Sequence, residues 1–254
     1  MQSMDVKKWL RTDGLKLGTI LSIDHPAIAE IAGLAGFDWI WVDAEHGRFN
    51  ELSAATACAV NGGRLPTFVR LPDQSSTAIK RYLDIGCDGI ILPMVSSASQ
   101  VDEIARAALY APRGERSVGI ARAHGYGARF AEYLQQQDYA IVVQIETVSG
   151  LENADEIASH PAVDAVIIGP YDLSASFGIP GQIENQQVVE GIDTVQKLCR
   201  RHGKPCGIFA ATADKARQYV QSGFEFIGVG IDCSVLLSGF SSLCEAIRKT
   251  GNWG

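Results

Sequence analysis

Gln144 and Glu146 close an apolar run, Ile141, Val142, Val143, Gln144, Ile145, Glu146, and Asp172 follows a second run, Ala165 to Gly169. Continuous β-branched runs bounded by turn residues mark strands buried on both faces of a parallel sheet, so each run carries an acid to a strand end. Neighbouring strands lie about 4.8 Å apart. A hard divalent cation takes oxygen ligands at about 2.0 to 2.6 Å, so one ion can bridge Glu146 and Asp172. The competing reading is that both acids cap the helices that follow. Period two places Gln144 and Glu146 on one face, and polar groups on a barrel's inner face are costly unless paired or bound to something. That favours a metal site. Two carboxylates without His or Cys suit Mg²⁺ or Mn²⁺ better than Zn²⁺, with Co²⁺ a further candidate. Gly169 to Ser174 then turns into a short helix whose free amides could hold a carboxylate, giving a seat for a 2-oxo acid.

Asp43, Glu45 and His46 end another run, and Arg70 ends the run beginning at Thr67. Arg70 could donate to an oxygen that becomes an enolate, or serve as a salt-bridged arginine at a barrel mouth. His46 is a candidate base near neutral pH, although a loop histidine is often structural. Gly228, Val229, Gly230 lacks the third glycine and the acid of a dinucleotide fingerprint. Gly-x-Ser-x-Gly and P-loop motifs are absent.

These residues need a frame. Strands are expected at 17–22, 39–43, 67–71, 89–94, 141–146, 165–169, 205–209 and 226–231. Helices are expected at 27–35, from Asn50 to Gly62 and Gly63, from Asp73, from a Ser99/Asp102 capping box, and at 151–157, 188–201, 214–221 and 236–247. Eight strand and helix pairs in strict alternation point to a closed (β/α)₈ barrel, an α/β fold with its chemistry at the C-terminal strand ends. The long Gly- and Arg-rich loop from Pro112 to Gly127 is expected to border a pocket, with Arg113 and Arg116 solvated.

The composition fits this frame. With 46% hydrophobic and 20% charged residues the chain can build a large core, and residues 1–254 are expected to form one domain. A formal charge of −7 gives no basic footprint for nucleic acid. No run reaches membrane-spanning length, and Met1 to Leu10 lacks a signal-peptide core. Six cysteines without a CxxC pair read as reduced core residues. A cytoplasmic location is therefore expected.

Phe37, Asp38, Trp39 running into Asp43, Ala44, Glu45, His46; Val69, Arg70; Leu83, Asp84, Ile85, Gly86; Pro93, Met94, Val95; Gln144, Ile145, Glu146; and Gly169 to Ser174 together resemble the HpcH/HpaI aldolase family. The resemblance spans nearly the whole chain. It implies a metal-dependent class II pyruvate aldolase that reversibly cleaves a 4-hydroxy-2-oxo acid, a 2-keto-3-deoxy sugar acid or related dicarboxylate, to pyruvate and an aldehyde. It implies Glu146 and Asp172 as metal ligands, and Gln144 with the Tyr171 and Asp172 backbone as the pyruvate seat. Arg70 would stabilise the enolate, and His46, with Asp84 raising its basicity, would move the proton. It also implies a homo-oligomer, commonly a hexamer, with the last helix exchanged between subunits. Arg122, His124 and Tyr126 are expected to shape aldehyde choice. Two other readings are an acyl-CoA lyase of the citrate lyase β-subunit type, for which no basic groove is evident, and a barrel serving only to bind.

Overall fold

The computed structural model describes residues 4–60 and 65–250. Eight parallel strands close into a barrel in chain order: β1 (Lys16–Leu21), β2 (Trp39–Asp43), β3 (Thr67–Arg70), β4 (Gly89–Leu92), β5 (Ala140–Ile145), β6 (Ala165–Ile168), β7 (Cys206–Ala210) and β8 (Phe226–Ile231). The helices are α1 (Val6–Leu10), α2 (Pro26–Leu34), α3 (Glu51–Val60), α4 (Ser76–Asp84), α5 (Ala98–Ala108), α6 (Phe130–Gln136), α7 (Val148–Glu152), α8 (Ala154–Ser159), α9 (Pro170–Ser176), α10 (Gln186–Arg201), α11 (Ala213–Gln221) and α12 (Asp232–Thr250). The expected α/β barrel is the observed fold.

Strand alternation divides the apolar residues into two cores. Ile20, Trp39, Trp41, Phe68, Ile91, Val142, Ile167 and Phe226 fill the barrel, while Ile40, Val42, Val69, Ile90 and Val143 face the helices. The bulky inner aromatics need space, which small residues supply: a Cβ on Gly18 would stand 2.2 Å from the Trp39 ring. Below them α1 closes the N-terminal end, with Val6 and Leu10 buried and the Trp9 ring tilted to Phe68 and edge-on to Phe226, each at 6.3 Å.

Several boundaries differ from expectation for local reasons. The α5 cap is Ser97, whose extended backbone lets its hydroxyl accept from the Gln100 backbone amide, while the Gln100 side-chain Oε1 accepts from the Ser96 backbone amide; Asp102 instead meets His160. The helix expected at 151–157 is two helices broken at Asn153, whose side-chain amide donates to Ser96 and Ser149 carbonyls. α12 begins earlier than expected, at Asp232, whose carboxylate accepts the Ser22, Ile23 and Cys233 amides and so ties β8 to β1. The expected helix stop at Gly62 and Gly63 lies outside the described residues. All six cysteines are free, but Cys233 and Cys244 are exposed on α12 rather than in the core. Among the described residues no helix is long and apolar enough to cross a membrane.

Candidate active site

The C-terminal ends of β2, β3, β5 and β6 gather Asp43, Glu45, His46, Arg70, Gln144, Glu146 and Asp172 around one mouth. Register aligns Asp43 with Arg70 across β2 and β3, and Gln144 with Ile167 across β5 and β6. Arg70 Nε and Nη2 donate to the two Asp43 oxygens at 3.0 and 2.8 Å, and Arg70 Nε lies 3.2 Å from Glu45. Asp43 also accepts the backbone amides of Glu45 and His46, at 3.1 and 3.2 Å. It therefore shapes the loop that presents His46, whose Nε2 stands 3.6 Å from Glu45. This is a double role that period two could have signalled, since Asp43 follows Trp39 and Trp41 on the inner face.

Gln144 and Glu146 are both buried. The Gln144 side-chain amide donates to Glu146 Oε2, and the Met94 backbone amide donates to Glu146 Oε1 at 2.7 Å. Met94 adopts φ +58° to do so, a left-handed conformation uncommon for a residue with a Cβ. No side-chain pattern signals that amide's part. Gly169 lies against the pair: a Cβ there would stand 2.5 Å from Glu146 Oε2. Asp172 is exposed in the first turn of α9, where Gly169 offers no side-chain cap and leaves the first amides free.

Burial pushes the Glu146 carboxyl up to about 8; the Met94 amide opposes the shift, while Asp172 and Glu45 add to it and Arg70 opposes it. Glu45 is raised by the same burial, with Arg70 and His46 opposing. Among the described residues at the mouth, Asp43, Glu45, Glu146 and Asp172 thus share one permanent cation, Arg70. That negative excess, together with the buried Gln144 Oε1, which has no partner among the described residues, fits a divalent cation. Among the described residues no three His, Cys, Asp or Glu side chains come together as a metal-binding group, so an ion held by Glu146 and Asp172 would need further oxygens from substrate or water. Beside these groups is a cavity of about 200 Å³, lined by Ile20, Trp41, Phe209 and Ile231 on its apolar side.

Not every expected site residue is here. Asp84 ends α4, which runs antiparallel to the strands, so it lies at the opposite end of the barrel from His46. Its carboxylate pairs with Arg116 at 2.6 Å, and within one chain it cannot adjust the His46 ring. The Pro112–Gly127 loop is at that far end too. Arg116 is buried against Tyr110, Tyr133 and Tyr139 rather than solvated. Arg122 donates to the Ile85 and Gly86 carbonyls, and His124 is buried edge-on to Phe130 and Tyr133. Tyr126 is exposed. None of these residues borders the chain's own mouth cavity.

The profile of the HpcH/HpaI aldolase/citrate lyase family matches residues 16–238. A 5-keto-4-deoxy-D-glucarate aldolase of Klebsiella pneumoniae subsp. pneumoniae is 33% identical over 247 residues, 96% of each chain. One of Citrobacter koseri is 34% identical over 248 residues, again 96% of each. The crystal structure of an HpcH/HpaI aldolase/citrate lyase family protein from Burkholderia cenocepacia superposes with a TM-score of 0.90 at 31% identity, covering 96% of this chain and 98% of that one. The chain belongs to this family, and it is a carbon–carbon lyase of the aldolase type acting on small molecules.

Proposed function

We propose that the chain is a divalent-metal-dependent aldolase for a 4-hydroxy-2-oxo dicarboxylate of the 5-keto-4-deoxy-D-glucarate type. In such a substrate the bond between the hydroxyl carbon and the methylene beside the ketone breaks, releasing pyruvate and a three-carbon aldehyde acid. The observation that carries the reading is the buried Gln144–Glu146 pair at the rim of an acid-rich mouth beside Arg70.

Glu146 and Asp172 would hold Mg²⁺ or Mn²⁺, and Gln144 would help seat the 2-oxo acid. When bound, the ion supplies Lewis-acid polarisation of a substrate carbonyl. The first amides of α9, at Tyr171 and Asp172, would hold the 2-oxo acid's carboxylate. Arg70, locked by Asp43 and Glu45, would donate to the oxygen that gains charge as the carbon–carbon bond breaks. His46, at the edge of the cavity beside Glu45, would take the proton from the hydroxyl being cleaved and return one to the pyruvate methyl.

The same reading extends to assembly. α12 touches its own barrel through β1 and β8, yet Val235, Leu237, Phe240, Leu243 and Ile247 are exposed along it, Phe240 to 62%. A second copy of the chain would cover them, giving a homo-oligomer. Contact between Asp84 and a His46 would then be possible only between subunits. The expected setting is the cytoplasm, where the six thiols stay reduced.

A pyruvate-release assay on 2-keto-3-deoxy acids, with Mg²⁺ or Mn²⁺ and with chelator, tests the reaction. Cleavage should vanish on chelation, return with either ion, and fall at least about 100-fold in Glu146→Gln together with metal affinity. Full activity in chelator would overturn the metal-dependent reading, as would unchanged metal affinity in the variant.

A further inference from the structure

We infer that Trp41 is a positioning residue for the reaction, its indole face carrying the Arg70 guanidinium and holding it level with the mouth cavity. The inference rests on the aldolase reading only for what Arg70 does, not for where it is held.

β2 alternates Trp39, Trp41 and Asp43 inward with Ile40 and Val42 outward, so the three inner side chains form successive layers from the barrel's base to its mouth. Arg70 lies at the top of this stack. Asp43 and Glu45 grip its Nε and Nη2, and such bonds run in the guanidinium plane. They fix rotation within that plane, but they resist tilting out of it weakly. Trp41 supplies the missing constraint, since the guanidinium carbon lies 5.3 Å from its ring centroid, within cation–π range.

The ring is itself immobilised. Trp41 is 1% exposed, Trp39 stacks beneath it at 6.1 Å and 22°, and Gly228 leaves it room, for a Cβ there would stand 3.2 Å from the Trp41 ring. Trp41 and Arg70 line the same cavity. An aliphatic side chain at position 41 would fill part of the floor without offering a π face. Arg70 could then sag toward the barrel interior while both acid contacts persisted.

The test compares Trp41→Phe, which keeps an aromatic face, with Trp41→Leu, which does not, in the full chain with Mg²⁺. Exchange of the pyruvate methyl protons in D₂O reads enolisation without any aldehyde, and calorimetry reads pyruvate affinity. Trp41→Leu should slow exchange at saturating pyruvate at least tenfold with Kd within threefold, and Trp41→Phe should stay within threefold in both. Exchange in Trp41→Leu within twofold of the parent, or a parallel loss of affinity and exchange, would overturn the inference. A second readout needs no turnover: the Arg70 Hε resonance, assigned through Arg70→Lys, should lie upfield under the indole ring current and move downfield in Trp41→Leu. A resonance that does not move would overturn the inference. If the parent protein exchanges no pyruvate protons, the aldolase reading fails, and the resonance alone decides whether Trp41 positions Arg70.

Discussion

Arg70 and Arg116 are both buried, and each is held by a carboxylate and aromatic faces, yet they belong to opposite ends of the barrel. Arg70 donates two bonds to Asp43, has a contact with Glu45 and one ring, Trp41, and it opens onto a cavity. Arg116 donates one bond to Asp84 and meets three rings, with Tyr110 at 4.7 Å, and its side chain is wholly buried. Its Nε and Nη1 have no hydrogen-bond partner among the described residues. A guanidinium enclosed on all sides can only hold structure together. The same group gripped on one edge, beside a cavity, can still donate to something that arrives.

Removing each arginine should separate these roles. Arg70→Ala is expected to lower kcat about 100- to 1,000-fold with a smaller change in metal affinity, as for loss of an oxyanion donor; steady-state kinetics with metal titration checks it. Equal losses in both would make Arg70 structural, like its counterpart. Arg116→Ala should instead lower unfolding free energy by about 2–4 kcal/mol, chiefly from the cavity left among the three tyrosines, because Asp84 is about one-third exposed and stays hydrated without its partner, as read by denaturant unfolding. A loss below about 1 kcal/mol would show that the tyrosine enclosure does not depend on the cation.

Smaller effects sharpen the contrast at the mouth. Gly169→Ala places a methyl 2.5 Å from Glu146 Oε2, so metal affinity should fall roughly tenfold while the far end stays intact, which calorimetry can follow. The last effect concerns pH. Glu146 is held at about 8 in the folded chain, above its ordinary value of 4.5. A raised folded value means that its stabilising contribution is present below about pH 4.5 and is lost as pH rises through about 8. In chelator the Tm should therefore drop across that window by roughly 10 °C. Glu146→Gln should flatten the drop, because a neutral amide carries no charge to desolvate.

Much of the site was legible because it is local or periodic. Gln144 and Glu146 share a face by strand geometry, and the acids at strand ends follow from where the apolar runs stop. Alternation of eight apolar runs with helical stretches was enough to close the barrel. The rest depended on partners remote in sequence. Asp84 looked like a helix-end acid and, through the family resemblance, like a partner of His46. Its observed partner is Arg116, 32 residues away. The Met94 amide serves Glu146 across 52 residues, and no side-chain pattern records where a backbone N–H points.

Which residues face inward and which strand ends carry charge can be read from the chain alone, because both follow from the two-residue repeat of a strand and the position of its turns. Only the tertiary structure decided that Trp41 underlies Arg70, that Asp43 grips it, and that the Arg-rich loop folds away from the mouth. Those outcomes depend on how distant segments fill a shared volume, where one ring or one missing Cβ decides which side chain can approach. Local periodicity carries no term for that competition.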